Sequence, residues 1–477
     1  MSEILPAGSD IIGEGEELNI DDFKVKEVLS KLESQGWSFN PPENRENKKR
    51  VRIAFYGDAP SVATGFGKVS SNILPYLHNT GKYEIYCFGV NYMGIPHPYP
   101  FQIYPMLPNP QGDPYGREKI QQIIPQMDFD ILFLLQDSSI MTFLPNLIQE
   151  MKKRGKNFRT LVYFPIDGVP WPEWIEAMSA ADVPITYTQW GRSQCVKAFP
   201  SISDKLHVIP HGISLKEFFP VSQEERGRLR KMYFGPHADK FIVINVNRNQ
   251  QRKDIPATMM AFKEFKRDCP KSVLYLHCAE KDVGWDLNRV ARHLDLRIGE
   301  EVIFPKNFNV NTGFPVKVVN DLYNCADVCV SAALGEGWGL SSVEAMATKT
   351  PCIFPDNTSL TEIFADGRGF LCRSGDTPNM SIVLPMDNEV VRPRTNINDI
   401  VKYLKRLYEK PEIGTRMAEK AYAWVVNTLQ WERHIVPQFE YIIDQLVADM
   451  QAPIPADMAA PTIAVEADTN WRVGEVV

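Results

Sequence analysis

The chain has 477 residues, 44 % of them hydrophobic and 23 % charged. Those values are ordinary for a soluble globular protein with ample core, and the length suggests about three domains, or two large ones with extensions. Its 52 basic residues against 59 acidic ones leave a net charge of −7, which argues against a broad nucleic-acid or anionic-membrane footprint but not against local patches. Eight cysteines without a Cys-x-x-Cys pair or metal-ligand spacing argue against a disulfide scaffold and a zinc site. The N-terminus carries no apolar signal region, and no run approaches the ~18 apolar residues of a membrane span, so a soluble, cytoplasmic protein is expected.

Residues 1–48 begin acidic and Gly/Glu-rich, then offer one amphipathic segment, Phe23 to Trp37, with Val25, Val28, Leu29 and Leu32 on one face. It reads as a helix folded onto the main body or as one that binds a partner. The basic Lys48-Lys49-Arg50-Val51-Arg52 is either the solvated lead-in to a strand or a local nucleic-acid contact. That strand is Val51 to Tyr56. Gly57-Asp58-Ala59-Pro60 and Thr64-Gly65-Phe66-Gly67-Lys68 follow it, then a helical pattern through Val69, Ile73, Leu74 and Leu77. Strand, glycine loop and helix open a Rossmann-like domain. Further strands are expected at Tyr83–Phe88, Asp130–Leu135, Thr160–Phe164, Pro184–Tyr187 and Leu206–Ile209.

Asp128-Phe129-Asp130 has the form of a metal-holding Asp-x-Asp, but it abuts an apolar strand and reads as that strand's solvated entrance. Tyr92 to Tyr115 is dense in Pro, Tyr, Phe and Gly without periodicity, and is expected as an ordered loop beside a ligand site. Phe164-Pro165-Ile166-Asp167-Gly168-Val169-Pro170-Trp171-Pro172 ends a strand in a rigid aromatic turn, where Asp167 is either a ligand contact or purely structural.

Phe241 to Asn247 reads as the first strand of a second domain. Arg248 and, five residues on, Lys253 leave its end, where parallel sheets bind ligands. A guanidinium beside an ammonium suits a diphosphate, although two exposed cations also fit a solvated surface. Strands at Ser272–Leu276, Val302–Phe304, Asp327–Ser331 and Pro351–Phe354 continue the sheet. Between the last two lies Gly335-Glu336-Gly337-Trp338-Gly339-Leu340-Ser341-Ser342-Val343-Glu344-Ala345-Met346-Ala347. Its glycines permit close approach of a ligand, and the helix start adds free N–H groups and a positive dipole end, so an anion is expected in front of it. Glu336 in the loop and Glu344 a turn into the helix would face different parts of that ligand. Ser341-Ser342-Val343-Glu344 also fits a capping box, in which Glu344 returns to the backbone. Helical segments from Ile397 to Val426, a last helix over 433–450 and an Ala- and Pro-rich disordered tail complete the chain.

The Gly335 to Ala347 segment resembles the Glu-x7-Glu signature of retaining glycosyltransferases of family 4, and Phe354-Pro355-Asp356 and Leu360 to Leu371 continue the resemblance in register. Val208-Ile209-Pro210-His211-Gly212-Ile213 resembles that family's crossing between domains, and Leu429-Gln430-Trp431-Glu432 the end of its core. The resemblance implies an α/β protein with two Rossmann-like domains facing a cleft (GT-B) and short N- and C-terminal extensions. The implied boundaries are an extension over 1–48, an acceptor domain over 49–212, a nucleotide-sugar donor domain over 213–428, a helix over 429–450 returning to the first domain, and a tail over 451–477.

By the same resemblance, Gly65 and Gly67 lie against the donor phosphates, with Thr64 in place of the family's first glycine. Arg248 and Lys253 match its Arg-x4-Lys pair on the diphosphate, assisted by Gly337 and the helix start at Leu340. Glu336 would hold the sugar and Glu344 the ribose. Asp167 stands where many members carry a histidine, and is expected to accept hydrogen bonds from sugar hydroxyls. Thr348-Lys349-Thr350 lacks the family's usual glycine, and Asn357-Thr358-Ser359 replaces a common Gly-Gly. The expected activity is metal-independent, hexosyl-type transfer with no cofactor besides the nucleoside-diphosphate sugar. The acceptor stays open among carbohydrate, protein and a modified nucleic-acid base, the last through patches such as Lys48–Arg52 and Lys152–Lys156. A non-catalytic sugar-nucleotide-binding module acting through a partner is the alternative of another class.

Overall fold

Strands buried on both faces need near-continuous apolar runs, and parallel neighbours need a crossover, usually a helix, between them. This chain supplies both twice over. The computed structural model describes residues 50–106, 112–310 and 313–451; the 1–48 extension with its Phe23 to Trp37 segment, and the tail beyond 451, lie outside the described residues. The first sheet is parallel throughout and comprises β1 (Val51–Asp58), β2 (Tyr83–Val90), β3 (Ile103–Met106), β4 (Ile131–Leu135), β5 (Arg159–Phe164), β6 (Val183–Thr186) and β7 (His207–Val208), in the order β3-β2-β1-β4-β5-β6-β7. The second, also parallel, comprises β8 (Phe241–Asn245), β9 (Ser272–Leu276), β10 (Val302–Ile303), β11 (Val328–Val330), β12 (Cys352–Pro355) and β13 (Phe370–Cys372), in the order β10-β9-β8-β11-β12-β13. Each order reverses once, between β1 and β4 and between β8 and β11, and ligands of open parallel sheets bind at such reversals.

The strand β3 lies inside the stretch expected to be an irregular loop. It is an edge strand paired only to β2, so Pro105 is tolerated and no two-sided burial pattern announces it. The helical stretch after Ile397 is two helices, Ile397–Glu409 and Pro411–Thr428, because Pro411 begins a new one. An antiparallel hairpin, β14 (Ser381–Val383) with β15 (Val391–Pro393), stands apart from both sheets.

The first sheet's opening helix, α1 (Gly65–Asn79), buries Val69, Ile73, Leu74 and Leu77 against it. In the second, α2 (Ile255–Asp268) and α3 (Leu340–Ala347) follow β8 and β11. The chain crosses between the sheets beside Gly212, where a Cβ would come within 2.6 Å of the Trp431 ring. The last helix, α4 (Val436–Gln451), returns to the first sheet: Phe439 stacks on Phe133 at 5.8 Å and meets Tyr163 edge-on at 4.9 Å. Among the described residues no helix is long and apolar enough to cross a membrane.

Candidate active site

The loops leaving the two sheet reversals face each other across a cavity of about 690 Å³. Gly65 follows β1 and Asp137 follows β4; Arg252 and Lys253 follow β8, and Glu336 to Leu340 follow β11. Of the residues singled out in the sequence, Gly65, Asp167, Arg248, Lys253, Glu336, Gly337, Leu340 and Glu344 line this one cavity. Gly67 does not. Its amide already donates to the Thr64 side chain at 2.9 Å, and a Cβ there would overlap the Val62 carbonyl oxygen, so this glycine serves the first turn of α1. Thr64 caps that helix and donates to Asp58. Gly65 remains open: a Cβ there would meet only Leu340 across the cleft, at 3.7 Å.

The centre of the cavity is an ion-pair network that joins the two sheets. Glu336, 7 % exposed, accepts from Lys253 through one carboxylate oxygen and from Arg252 Nη1 at 3.3 Å through the other. Arg252 Nε also reaches Asp167 Oδ2 at 3.1 Å. On its other oxygen Asp167 accepts from Arg392 Nη1 at 3.0 Å, and Arg392 forks onto Asp387 at 2.7 and 2.9 Å. Burial opposes ionisation of Glu336, but Lys253 and Arg252 outweigh it and hold the carboxyl below its ordinary value. Burial opposes ionisation of Asp167 in the same way, and Arg252 and Arg392 outweigh it. The backbone of Glu336 is fixed by Thr358, whose hydroxyl accepts its amide at 2.9 Å. Thr358 has φ +48°, and Lys349, within the segment that lacks the family's usual glycine, has φ +58°. Both departures keep the left-handed backbone that glycine would adopt without strain.

The glycines of the signature loop do something other than admit a ligand. A Cβ on Gly335 would overlap the Asp167 carbonyl oxygen, and one on Gly337 would overlap Pro165. Their bareness lets the two sheets' loops touch. On the far side a Cβ on Gly168 would come within 2.6 Å of Val390 Cγ1, too close to fit, and Trp171 Nε1 donates to the Asn388 carbonyl at 2.8 Å, so the β14–β15 hairpin closes over the same turn. Gly335→Ala is therefore expected to wedge the loops apart. Small-angle scattering should show a larger radius of gyration; an unchanged radius would mean that the loops yield locally.

Arg248 and Lys253 do not converge. Arg248, 54 % exposed, forks onto Asp282 at 2.8 and 3.2 Å, at the rim, while Lys253 turns inward to Glu336. Arg252, next to Lys253 in the sequence, occupies the centre instead. Glu344 takes no part in a capping box: the N-cap of α3 is Gly339, at φ +92°, and the Glu344 carboxylate accepts from the Tyr323 hydroxyl at 3.1 Å. Burial lifts Glu344 to about 7, against the pull of Lys68. Asp130 accepts from the Arg52 amide at 2.8 Å just ahead of β4, as a strand entrance does. His211 lies on the cavity floor with its Nδ1 2.7 Å from the Tyr163 hydroxyl; burial lowers it to about 3, so it is neutral at physiological pH.

Arg252, Asp137, Arg392 and Asp387 escaped the sequence reading. Arg252 had a signal, since Arg252-Lys253 is a cation pair at a strand end. Arg392 and Asp387 belong to a hairpin without periodicity and had none.

A family model described as glycosyl transferases group 1 matches residues 243–382. The putative glycosyltransferase EpsD of Bacillus subtilis is 25 % identical over 266 residues, 54 % of this chain and 58 % of that protein. Alpha-monoglucosyldiacylglycerol synthase of Acholeplasma laidlawii is 27 % identical over 224 residues, 46 % of this chain and 51 % of that one. The chain thus spans about half the length of these curated relatives. Among solved structures, sucrose-phosphate synthase from Thermosynechococcus elongatus superposes with a TM-score of 0.64 at 18 % identity, covering 84 % of this chain and all of that one (100 %). Anabaena HepE in complex with UDP and glucose superposes with a TM-score of 0.61 at 14 % identity, covering 83 % and 100 %. Two parallel sheets thus face each other across the cavity in the GT-B arrangement, and residues 243–382, which include the signature loop, match the glycosyl transferases group 1 family.

Proposed function

We propose that the chain transfers a sugar from a nucleoside diphosphate to a hydroxyl-bearing acceptor, with retention at the anomeric carbon. The observation that carries this reading is the meeting of Arg252 and Lys253 with Glu336 and Asp167 in front of the start of α3, in one cavity between two sheet reversals. A donor diphosphate in that place would take over the two cations from their carboxylates and receive the free N–H groups of α3. In transfer, the bond from C1 to the phosphate oxygen breaks and its electron pair leaves with that oxygen. The acceptor oxygen forms the new bond to C1 on the same face, and its proton passes to the departing phosphate oxygen. Glu336 then stands near the carbon where positive charge develops, Asp167 accepts from a sugar hydroxyl, and Glu344 accepts from the ribose. The UDP and glucose held by the structurally similar HepE are consistent with this choice of donor class.

Incubation with a panel of nucleoside-diphosphate sugars tests the reading, with release of the diphosphate and thermal shift as readouts. A ligand at 100 times its Kd stabilises by about 2.7 kcal/mol. Binding without release under any acceptor would favour the non-catalytic module. Transfer in excess chelator is expected to be unchanged, because Arg252 and Lys253 supply the charge that a metal would; loss restored by magnesium or manganese would refute that role.

A pH dependence follows from Glu344. A ribose hydroxyl donates a stronger, charge-assisted hydrogen bond to the carboxylate than to the protonated acid, so binding is linked to loss of the proton held up to about 7. Nucleoside-diphosphate affinity should rise as pH increases through that value and level off above it. The difference between wild type and Glu344→Gln isolates the effect from titration of the phosphates. Parallel pH profiles for the two proteins would remove Glu344 from the nucleotide.

A further inference from the structure

The cations of the cavity all lie on one side of it, where Glu336, Glu344 and Asp387 accompany them. That lysine and arginine lining, Arg248, Arg252, Lys253 and Arg392, comes entirely from the second sheet's side of the chain; the first sheet's loops bring Asp58, Asp137 and Asp167 and no lysine or arginine. Two of these aspartates are engaged. Asp58 accepts from Thr64 at 2.5 Å, Asn91 at 3.2 Å and Gln136 at 3.4 Å. Asp167 holds Arg252 and Arg392. Asp137 is different: it is partly exposed in the cavity wall, and its carboxylate accepts no hydrogen bond from any described residue. Burial, then the neighbouring Asp167, lifts it to about 7.

Two further polar groups are unmet in the same cavity, one on the first sheet's side and one in the loop after β11. Tyr187, 2 % exposed, and Trp338, 5 % exposed, line the cavity, and Tyr187 Oη and Trp338 Nε1 find no hydrogen-bond partner among the described residues. Both rings pack on His211, with centroids 4.0 and 5.9 Å away. An acceptor, a donor and a hydroxyl of either sense leave a space suited to a molecule rich in hydroxyls, and Tyr115 and Trp174 add amphipathic faces beside it. An anion there would stand among aspartates, while the nearest arginines, Arg252 and Arg392, already hold carboxylates.

We propose that this half of the cavity takes an uncharged carbohydrate as acceptor and rejects phosphorylated sugars, with Asp137 accepting a hydrogen bond from an acceptor hydroxyl. The proposal rests on the transferase reading above. Asp137 is a binding contact: the attacking hydroxyl's proton still goes to the departing phosphate oxygen, as its oxygen bonds to C1 and the bond from C1 to phosphate breaks.

The test uses the full chain and matched acceptors, glucose with glucose 6-phosphate, fructose with fructose 6-phosphate, and maltose with maltose 1-phosphate, against the same panel of nucleoside-diphosphate sugars. Calorimetry with UDP and GDP runs alongside. Diphosphate release should be stimulated by at least one neutral sugar and by no phosphorylated one. Stimulation by a phosphorylated member, or by neither member of any pair where a diphosphate binds, overturns the acceptor class and leaves the transferase reading standing. No release together with no binding of UDP or GDP removes that reading itself. Asp137→Asn should raise the neutral acceptor's KM about tenfold, the loss of one charge-assisted hydrogen bond, with melting temperature and diphosphate affinity unchanged. Tyr187→Phe should raise the same KM several-fold and serves if Asp137→Asn fails to fold. An acceptor KM unmoved by either change would return both residues to the wall of the fold.

Discussion

Replacing Arg252 with alanine is expected to destabilise the protein and abolish transfer together, the largest loss from any single change in the cavity. Arg252 joins Asp167 of the first sheet's loops, at 3.1 Å, to Glu336 of the second, at 3.3 Å, and also donates to the Gly335 carbonyl. Removing one partner of a buried pair costs about 3–5 kcal/mol when the other charge is stranded. Asp167 keeps Arg392 and Glu336 keeps Lys253, so the lower end, about 3 kcal/mol, is expected. Both carboxyls are held below their ordinary values, so the stability they supply is present above the ordinary carboxylate range and is lost as pH falls through their folded values. Arg252→Ala should therefore lower the urea midpoint at neutral pH and flatten the acid limb of the stability profile. Arg252→Lys keeps the charge without the fork, and should recover part of the stability and little of the turnover. A neutral-pH loss within about 0.5 kcal/mol would mean that the network adds nothing across the cleft.

The second large effect separates the two glutamates of the signature. Glu336→Gln removes the charge that faces Lys253 and Arg252 and that would oppose the positive charge developing at the sugar carbon, so kcat should fall about 10²–10³-fold with donor KM little changed. Glu344→Gln should do the reverse. A ribose contact is much the same before and during the reaction, so donor KM should rise several-fold with kcat nearly preserved. Glutamine keeps an oxygen for the Tyr323 hydroxyl, so neither a lost helix cap nor a lost internal bond confuses the comparison. Steady-state kinetics of both variants beside their melting curves read the split. Equal losses of kcat in the two variants would mean that the glutamates act as one charged wall.

The amino-acid sequence by itself determined the two parallel sheets and the loops worth watching. Strands buried on both faces leave uninterrupted apolar runs such as Ile131 to Leu135, and a glycine loop between strand and helix marks a ligand-facing end wherever it occurs. Glu336 and Glu344 were legible because their eight-residue spacing is fixed within one loop and one helix. The edge strand β3 was not legible, since pairing on one side only imposes no periodic burial and tolerates Pro105.

Only the tertiary structure decided which cation faces which anion. Arg248 and Arg252 lie four positions apart, and nothing local tells which one turns to Asp282 at the rim and which to Asp167 at the centre. Arg392 reaches Asp167 from 225 residues away, on a hairpin whose sequence has no period. The bareness of Gly335 and Gly337 suggested a close ligand, and only the folded chain shows that the nearest atoms belong to Pro165 and Asp167. The physical reason is common to all three. Spacing encodes geometry within an element, whereas a side chain's partner across a cleft is chosen by how the two sheets come together.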